Sequence, residues 1–238
     1  VEAGTGVGKS MAYLVPAVLF AVANETRVVV STNTKNLQEQ LFSKDLPDLA
    51  GILDAPFRYV LLKGRSNYLC GNRWEAALTH VPTAFTDPER IAALPLVLWA
   101  AETRTGDISE CAGFDPAEAP GLWAKVCSDP GACRSQRCRT NGLCFANTIR
   151  RAAGNAHVVV VNHALLFSDM AAENAILSEY RNLIVDEAHN VERVAAQYMG
   201  REVTVWRIRN LTSRLCAREL VSTGALPALS HWLRVSKL

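Results

Sequence analysis

The chain has 238 residues, of which 49% are hydrophobic and 20% are charged, and its formal net charge is only +2. Such a chain can bury a sizeable core, and the small total charge says little about its partners. The longest uncharged apolar stretch, residues 11–23, is too short to cross a bilayer, and the first residues lack the pattern of a secretory signal. We therefore expect a cytoplasmic protein that does not associate with a membrane.

The predicted elements alternate between helices and short strands. Residues 10–23 predict a helix that follows a glycine-rich segment, and Pro16 should kink that helix or end its first segment. Residues 36–41 predict a second helix. Short apolar runs predict four buried strands, at residues 27–32, 57–62, 157–162 and 183–186. Apolar strands that alternate with helices indicate an α/β fold with a parallel sheet covered on both faces.

Residues 70–145 interrupt this alternation. They contain scattered proline, glycine and cysteine, a helical patch at residues 89–102 and no sustained strand pattern. We interpret them as a cysteine-rich, mainly helical insertion into the α/β domain. Beyond residue 191 the pattern is again helical and basic.

Charge is distributed unevenly along the chain. Residues 75–118 are mainly acidic, whereas residues 125–151 are mainly basic. A local basic surface can neutralise nucleic-acid phosphates even when the whole chain is near neutral. A solvated face explains either stretch equally well, so charge alone does not identify a partner.

Residues 3–10 (AGTGVGKS) match the phosphate-binding loop G-x-x-x-x-G-K-S/T, except that Ala3 takes the first glycine position. In such a loop the backbone N–H groups face the nucleotide phosphates, Lys9 would reach the β- and γ-phosphates, and Ser10 would bind Mg²⁺. A chance glycine-rich turn is the alternative, but the apolar helix behind the loop argues against it. The predicted ATP-binding residues of the loop are Gly4, Thr5, Gly6, Val7, Gly8, Lys9 and Ser10.

Asp186, Glu187, Ala188 and His189 follow the last predicted strand. The Asp186 carboxylate, at the tip of a buried strand, can hold Mg²⁺, and the adjacent Glu187 can polarise an attacking water. Together with Lys9, these two carboxylates are the predicted catalytic residues. An acidic helix start is the alternative, but a phosphate loop in the correct order along the chain favours nucleotide hydrolysis.

Four of the seven cysteines could together hold a metal centre: Cys70, Cys133, Cys138 and Cys144. The last three form a C-x4-C-x5-C array. Four thiolates can bind a 4Fe–4S cluster or zinc, and the lack of close C-x2-C pairs favours iron and sulfide without excluding zinc. The other three cysteines are interpreted as partly buried, unligated thiols: Cys111, Cys127 and Cys216.

Six segments occur in order between residue 2 and about residue 192: EAGTGVGKSMAYLVPA, VVVSTNTKNLQEQL, LLKGRSNYLC, the C-x4-C-x5-C array, VVVVNHALL and LIVDEAHN. Together they resemble the DinG branch of the XPD-like superfamily 2 DNA helicases. Each segment alone is a weak signal, whereas their combination is highly specific.

The resemblance implies an ATP-dependent 5′→3′ helicase that moves on single-stranded DNA as a monomer and unwinds forked or structured DNA in repair or replication. By matching position, Asp186 and His189 join the ATP site, and His189 would couple hydrolysis to DNA. The four cysteines would hold the iron–sulfur cluster. Residues 31–35 would contact the DNA backbone, and basic residues between 133 and 151 would line the DNA path. Tyr68, Trp74 and Phe145 could stack on bases, although core packing is the preferred interpretation.

The resemblance also implies a division of the chain into domains. A RecA-like motor domain would comprise residues 1–69, with the phosphate loop, and residues 146–192, with the Asp-Glu-Ala-His segment. The iron–sulfur insertion would occupy residues 70–145, and a helical arch domain would start within residues 193–238.

We expect a chain truncated at both ends, because the strand before the loop and the family's second motor domain, with its arginine fingers, are not in the sequence. The isolated chain should therefore hydrolyse ATP poorly and should not unwind DNA. Two alternatives stay open at this point. One is a P-loop ATPase with a zinc insertion that remodels protein, and the other is a fragment that binds nucleotide or DNA without turnover.

Overall fold

A computed structural model describes residues 2, 7–129, 133, 144–172, 176–177, 179–199 and 205. The chain divides into two compact units, Val1–Ala195 and Ala196–Leu238. Nearly all of the described residues belong to the first unit. The predicted arch segment, residues 193–238, lies mostly outside the described residues and stays a prediction.

Four parallel strands form the sheet of the first unit. They are β1 (Val28–Thr32), β2 (Tyr59–Leu61), β3 (Val158–Asn162) and β4 (Asn182–Val185), and their order across the sheet is β2-β3-β1-β4. Each strand lies within or next to a predicted run, and β2 is shorter than its run. The parallel sheet with flanking helices confirms the predicted α/β fold and is consistent with a RecA-like domain.

Successive side chains of a strand point to opposite faces of the sheet, and helices pack against both of these faces. One face packs against helices α1 (Lys9–Ala23) and α3 (Leu46–Ile52) through the side chains of Val28, Val30, Leu14, Val18, Leu46 and Leu49. The other face packs against helices that start at Phe145 and His163, through Val29, Val159, Val161, Ala153 and Leu166. Every residue of β1 is buried, as expected for a central parallel strand.

Helix α1 continues through Pro16 to Ala23, so the expectation that this proline could end the helix is wrong. A second helical stretch comprises α2 (Lys35–Gln40), one π-helical turn (Leu41–Asp45) and α3. No helix within the described ranges combines the length and apolar character needed to cross a membrane.

The predicted insertion is helical in its described part. Its helices are α4 (Gly71–Thr79), α5 (Val81–Ala84), α6 (Asp87–Ala92), α7 (Leu94–Glu102) and α8 (Pro120–Val126). They surround a separate core that includes Leu69, Trp74, Leu96, Leu122 and Trp123. The patch at residues 89–102 therefore forms parts of two helices rather than one, with Pro95 at the start of the second.

The chain returns from the insertion through helix α9 (Phe145–Gly154) and then follows β3 into α10 (His163–Ala171). Gly106 lies against the start of α9 with a φ of +66°, a backbone conformation that favours glycine. A Cβ atom at this position would overlap the ring of Phe145. After β4, a short 3-10 turn (Ala188–Asn190) leads into α11 (Val191–Met199).

Tyr68 and Trp74 are 2% and 8% exposed, and Phe145 packs against the core of the insertion. The Tyr68 hydroxyl accepts a hydrogen bond from the backbone N–H of Lys63 at 3.0 Å. Core packing, the preferred interpretation of these three aromatic residues, is therefore confirmed over base stacking.

Lys63 joins the segment after β2 to both α2 and the insertion. Its side chain is only 3% exposed, and its ammonium pairs with Glu39 of α2 and with Asp107 Oδ2 of the insertion, the latter at 2.7 Å. It also donates to Ser109 Oγ at 2.8 Å. Burial acts to lower the pKa of Lys63, but its hydrogen bonds and charge interactions with Asp107 and Glu39 outweigh burial and raise that pKa above its ordinary value.

We expect Lys63→Met to lower the free energy of unfolding by about 3–5 kcal/mol, because the buried Asp107 carboxylate would lose its cation. Lys125→Met is the matched control. Lys125 pairs with Glu89 at 2.7 Å, but its side chain is 42% exposed, so its loss should cost less than about 1 kcal/mol. Urea unfolding of the two variants measures the difference, and equal losses would contradict this account of Lys63.

Candidate active site

The predicted catalytic segments meet at the carboxyl edge of the sheet. Because all four strands are parallel, the residues that follow them lie along one edge, where open α/β sheets bind ligands. Asp186 follows β4, and Asn33 follows the adjacent β1. A cleft of about 690 Å³ opens at this edge, lined by Glu2, Val7, Lys9, Ala12, Tyr13, Ile184, Val185, Asp186, Glu187, Ala188 and His189.

Lys9 and Glu187 face each other across this cleft. Lys9 is the first residue of α1, and Gly8 before it has a φ of +79°, which favours glycine. Lys9 Nζ lies 3.3 Å from Glu187 Oε1, although 178 positions separate the two residues. His189 Nδ1 lies 3.5 Å from the other carboxylate oxygen of Glu187. The fold therefore brings the predicted phosphate-binding lysine and the predicted catalytic glutamate together.

The Asp186 side chain is held by the end of β1. Its backbone N–H donates to the Ser31 carbonyl at 2.8 Å, which extends the pairing of β4 with β1 by one residue. The Thr32 hydroxyl donates to Asp186 Oδ2 at 3.4 Å. These two contacts place Asp186 beside the end of β1.

Tyr13 lies one helical turn after Lys9 and also lines the cleft. Burial, followed by the negative charge of nearby Asp186, raises the pKa of the Tyr13 phenol. Tyr13 therefore stays protonated at neutral pH and can donate a hydrogen bond beside Asp186.

Glu187 has a φ of +54° and a ψ of 43°, a left-handed conformation that is unusual for a residue with a side chain. It starts the 3-10 turn that leads to His189. Such backbone strain is commonly found at functional sites, and here it turns the glutamate side chain toward Lys9.

The described residues include only part of the predicted ATP-binding set. Val7, Gly8, Lys9, Ser10, Asp186 and His189 are described, and all except Gly8 and Ser10 line the cleft. Gly4, Thr5 and Gly6 lie outside the described residues. Ser10 follows Lys9 in the first turn of α1, next to Tyr13.

Two of the predicted metal-binding cysteines each stand directly before a helix, Cys70 before α4 and Cys144 before α9. Arg65 Nη1 lies 3.1 Å from Cys133 Sγ, and its Nη2 donates to Asn147 Oδ1 in the first turn of α9. Arg65 therefore brings Cys133 close to the helix that Cys144 precedes. Cys138 lies outside the described residues.

The described thiols fall into two groups. Cys70, Cys133 and Cys144 are half-buried and form no disulfide, whereas Cys111 and Cys127 are buried in the core of the insertion. Burial raises the pKa of the Cys111 and Cys127 thiols, as expected for unligated cysteines. Among the described residues, no three His, Cys, Asp or Glu side chains are grouped so that they could hold a metal ion.

The predicted DNA-contacting segment, residues 31–35, is exposed only in part. Ser31 and Thr32 are buried, whereas Thr34 and Lys35 are exposed at the start of α2. The Thr34 hydroxyl caps that helix by accepting from the Leu37 N–H at 3.2 Å. Only the exposed part of this segment can contact a ligand in solvent.

Sequence reasoning did not identify Tyr13 as a residue of the cleft, and it assigned Thr32 only to the segment predicted to contact DNA. Tyr13 follows Lys9 at a spacing that places both on one helical face, so that signal was present. The contact of Thr32 with Asp186 depends on which strands are neighbours, and the pattern of apolar runs does not specify that order.

A family model described as DEAD_2 matches residues 135–208. An ATP-dependent DNA helicase YoaA from Haemophilus influenzae is 37% identical over 86% of this chain and 31% of its own length. An ATP-dependent helicase DinG from Mycobacterium tuberculosis is 39% identical over 86% of this chain and 33% of its own length. A protein named 3′-5′ exonuclease DinG, from Bacillus subtilis, is 30% identical over 98% of this chain and 26% of its own length.

The chain thus spans about a third or less of the length of these curated relatives. The similarity includes most of this chain and confirms the resemblance that the motifs predicted. Over the part that it spans, the chain belongs to the family of the DinG and YoaA ATP-dependent helicases.

Proposed function

We propose that this chain is the ATP-binding part of a DNA helicase of the DinG type. The observation that carries the proposal is the pairing of Lys9 with Glu187 at 3.3 Å in a cleft at the carboxyl edge of the sheet, beside Asp186. A cation from a phosphate loop and two carboxylates from a strand end are what nucleoside triphosphate hydrolysis requires.

Each residue has a distinct role in this proposal. Lys9 exchanges its contact with Glu187 for the β- and γ-phosphates of ATP, and the backbone N–H groups of residues 4–8 surround the phosphates. Glu187, released from Lys9, orients and polarises the attacking water. Ser10 and Asp186 hold Mg²⁺, which neutralises phosphate charge when it is bound. The Thr32 hydroxyl holds the Asp186 carboxylate before Mg²⁺ binds.

DNA is the second ligand in the proposal. Thr34 and Lys35 offer an exposed hydroxyl and an ammonium to a phosphate backbone, next to the strand that holds Asp186. His189 lies 3.5 Å from Glu187 and is well placed to sense the state of that carboxylate. The proposal for the whole protein has three further parts. They are movement on single-stranded DNA with 5′→3′ polarity, unwinding of forked or structured DNA in repair or replication, and action as a cytoplasmic monomer.

The cysteine set supports a 4Fe–4S cluster as a structural centre of the insertion. Cys70 and Cys144 directly precede helices α4 and α9, and the Arg65 guanidinium lies 3.1 Å from Cys133 Sγ. With Cys138 they would complete the four thiolates that such a cluster needs. When bound, the cluster would cross-link the beginning and the end of the insertion.

We expect Lys9→Ala to weaken the binding of Mg²⁺·ATP by about tenfold to a hundredfold, the usual worth of a hydrogen bond to a charged group. Glu187→Gln should leave the affinity unchanged or increase it, because it removes the negative charge that competes with phosphate for Lys9. Equilibrium titration with a fluorescent ATP analogue measures both effects. Lys44→Ala is the control, because Lys44 is exposed on the π-helical turn and does not line the cleft. Equal weakening by the Lys9 and Lys44 variants would refute the proposed site.

Lys35→Ala should weaken the binding of single-stranded DNA and lower its salt dependence by the contribution of about one phosphate contact. Fluorescence anisotropy with a labelled oligonucleotide at several salt concentrations provides the measurement, and Lys44→Ala serves again as the control. Tight ATP binding without any DNA binding by the unaltered chain would favour the alternative of an ATPase that acts on protein.

Anaerobically purified chain should be brown and contain about four irons and four sulfides per molecule. Cys133→Ser should lose the iron but keep its affinity for the ATP analogue, because the two sites belong to different cores. Cys111→Ala should keep the iron, since Cys111 is buried and is interpreted as unligated. A colourless chain with stoichiometric zinc, or equal iron loss in both variants, would overturn this cysteine assignment.

A further inference from the structure

His163 is a fully buried histidine behind the carboxyl edge of the sheet. It is the first residue of α10 and directly follows β3. Its Nδ1 lies 2.7 Å from the hydroxyl oxygen of Ser31 on the neighbouring strand β1. A buried imidazole so close to a hydroxyl forms a hydrogen bond that fixes both side chains.

Ser31 connects this histidine to the proposed catalytic carboxylate. Its carbonyl accepts the backbone N–H of Asp186, while its side chain contacts His163. In the strand order β3-β1-β4, Ser31 lies on the central β1, while His163 directly follows β3 and Asp186 directly follows β4. Strand β1 ends at Thr32, and the chain then reaches Thr34 and Lys35, the exposed part of the proposed DNA contact.

The other ring nitrogen, Nε2, is buried and has no hydrogen-bond partner among the described residues. Burial lowers the pKa of His163, whereas the nearby backbone groups and charges of Glu187 and Asp186 act in the opposite direction. The hydrogen-bond contact that holds the ring is the one from its Nδ1 to the Ser31 side chain on β1.

We propose that His163 is a positioning residue that couples ATP binding at Asp186 and Glu187 to DNA binding at Thr34 and Lys35. The inference rests on the function proposed above. When Asp186 moves on binding Mg²⁺·ATP, the Ser31 carbonyl moves with it. Because His163 fixes the Ser31 side chain, the displacement is passed along β1 to the start of α2 and is not absorbed by rotation of Ser31.

The coupling can be measured as a ratio of DNA affinities. We would determine the dissociation constant of the chain for a labelled single-stranded oligonucleotide, with and without a non-hydrolysable ATP analogue and Mg²⁺. Couplings between linked sites are commonly about 5- to 150-fold. We expect His163→Leu to reduce the ratio to near one while each ligand alone still binds within about threefold of the unaltered chain.

Two further variants separate positioning from folding. The asparagine side chain can keep one polar atom near the position of Nδ1. His163→Asn should therefore retain at least half of the logarithm of the ratio of DNA affinities. Ser31→Ala should lose coupling as His163→Leu does, and the double variant should lose no more. His157→Asn is the matched control, because His157 lies at the opposite end of β3 and contacts the Arg58 N–H.

Each result decides the matter. If His163→Leu and Ser31→Ala keep the coupling, His163 is only structural and the inference is overturned. The same holds if these variants weaken the binding of both ligands without changing the ratio of DNA affinities. If the unaltered chain binds both ligands without coupling, the inference also fails, while the proposed function stands. If the unaltered chain binds neither ligand, the proposed function itself fails, and the inference fails with it. Should His163→Leu not fold, His163→Asn and Ser31→Ala give the answer.

Discussion

The pairing of β4 with β1 is the interaction on which the candidate site depends. The last hydrogen bond of that ladder, from Asp186 N–H to the Ser31 carbonyl, is also the first contact of the catalytic segment. Without this register, the Glu187 carboxylate, 178 positions after Lys9 in the chain, could not be held near the Lys9 ammonium. The left-handed turn at Glu187 directly follows this hydrogen bond, so the position of Asp186 at the edge of the sheet also sets the position of Glu187.

Much of this arrangement could be predicted from the sequence, because it is encoded locally. The four strands are apolar runs, and the residues on either side of the cleft belong to short segments with strong chemical signatures. The helix through Pro16 was harder to predict, because α1 is held by packing against the sheet, which outweighs the local effect of proline. Contacts such as Ser31 with His163 depend on strand order, which no local pattern reveals.

The insertion illustrates a different limit. Its helices were expected, but its separate core and its attachment to the sheet domain through Lys63 were not. A lysine after a strand usually suggests an exposed end, and only the convergence of Glu39 and Asp107 makes its burial favourable. The two cores are therefore joined by charge at the segment that leads from β2 to Cys70.

Gly106 shows how closely the thiols depend on backbone far from them in sequence. The space that a side chain would need at this position is filled by the ring of Phe145, and Cys144 immediately precedes that ring. A single added methyl group would push the first turn of α9 outward and carry the neighbouring sulfur with it. The place of the Cys144 thiol therefore depends on a glycine 38 positions upstream, and a change of that glycine to alanine would displace the thiol even in a chain that kept all four cysteines.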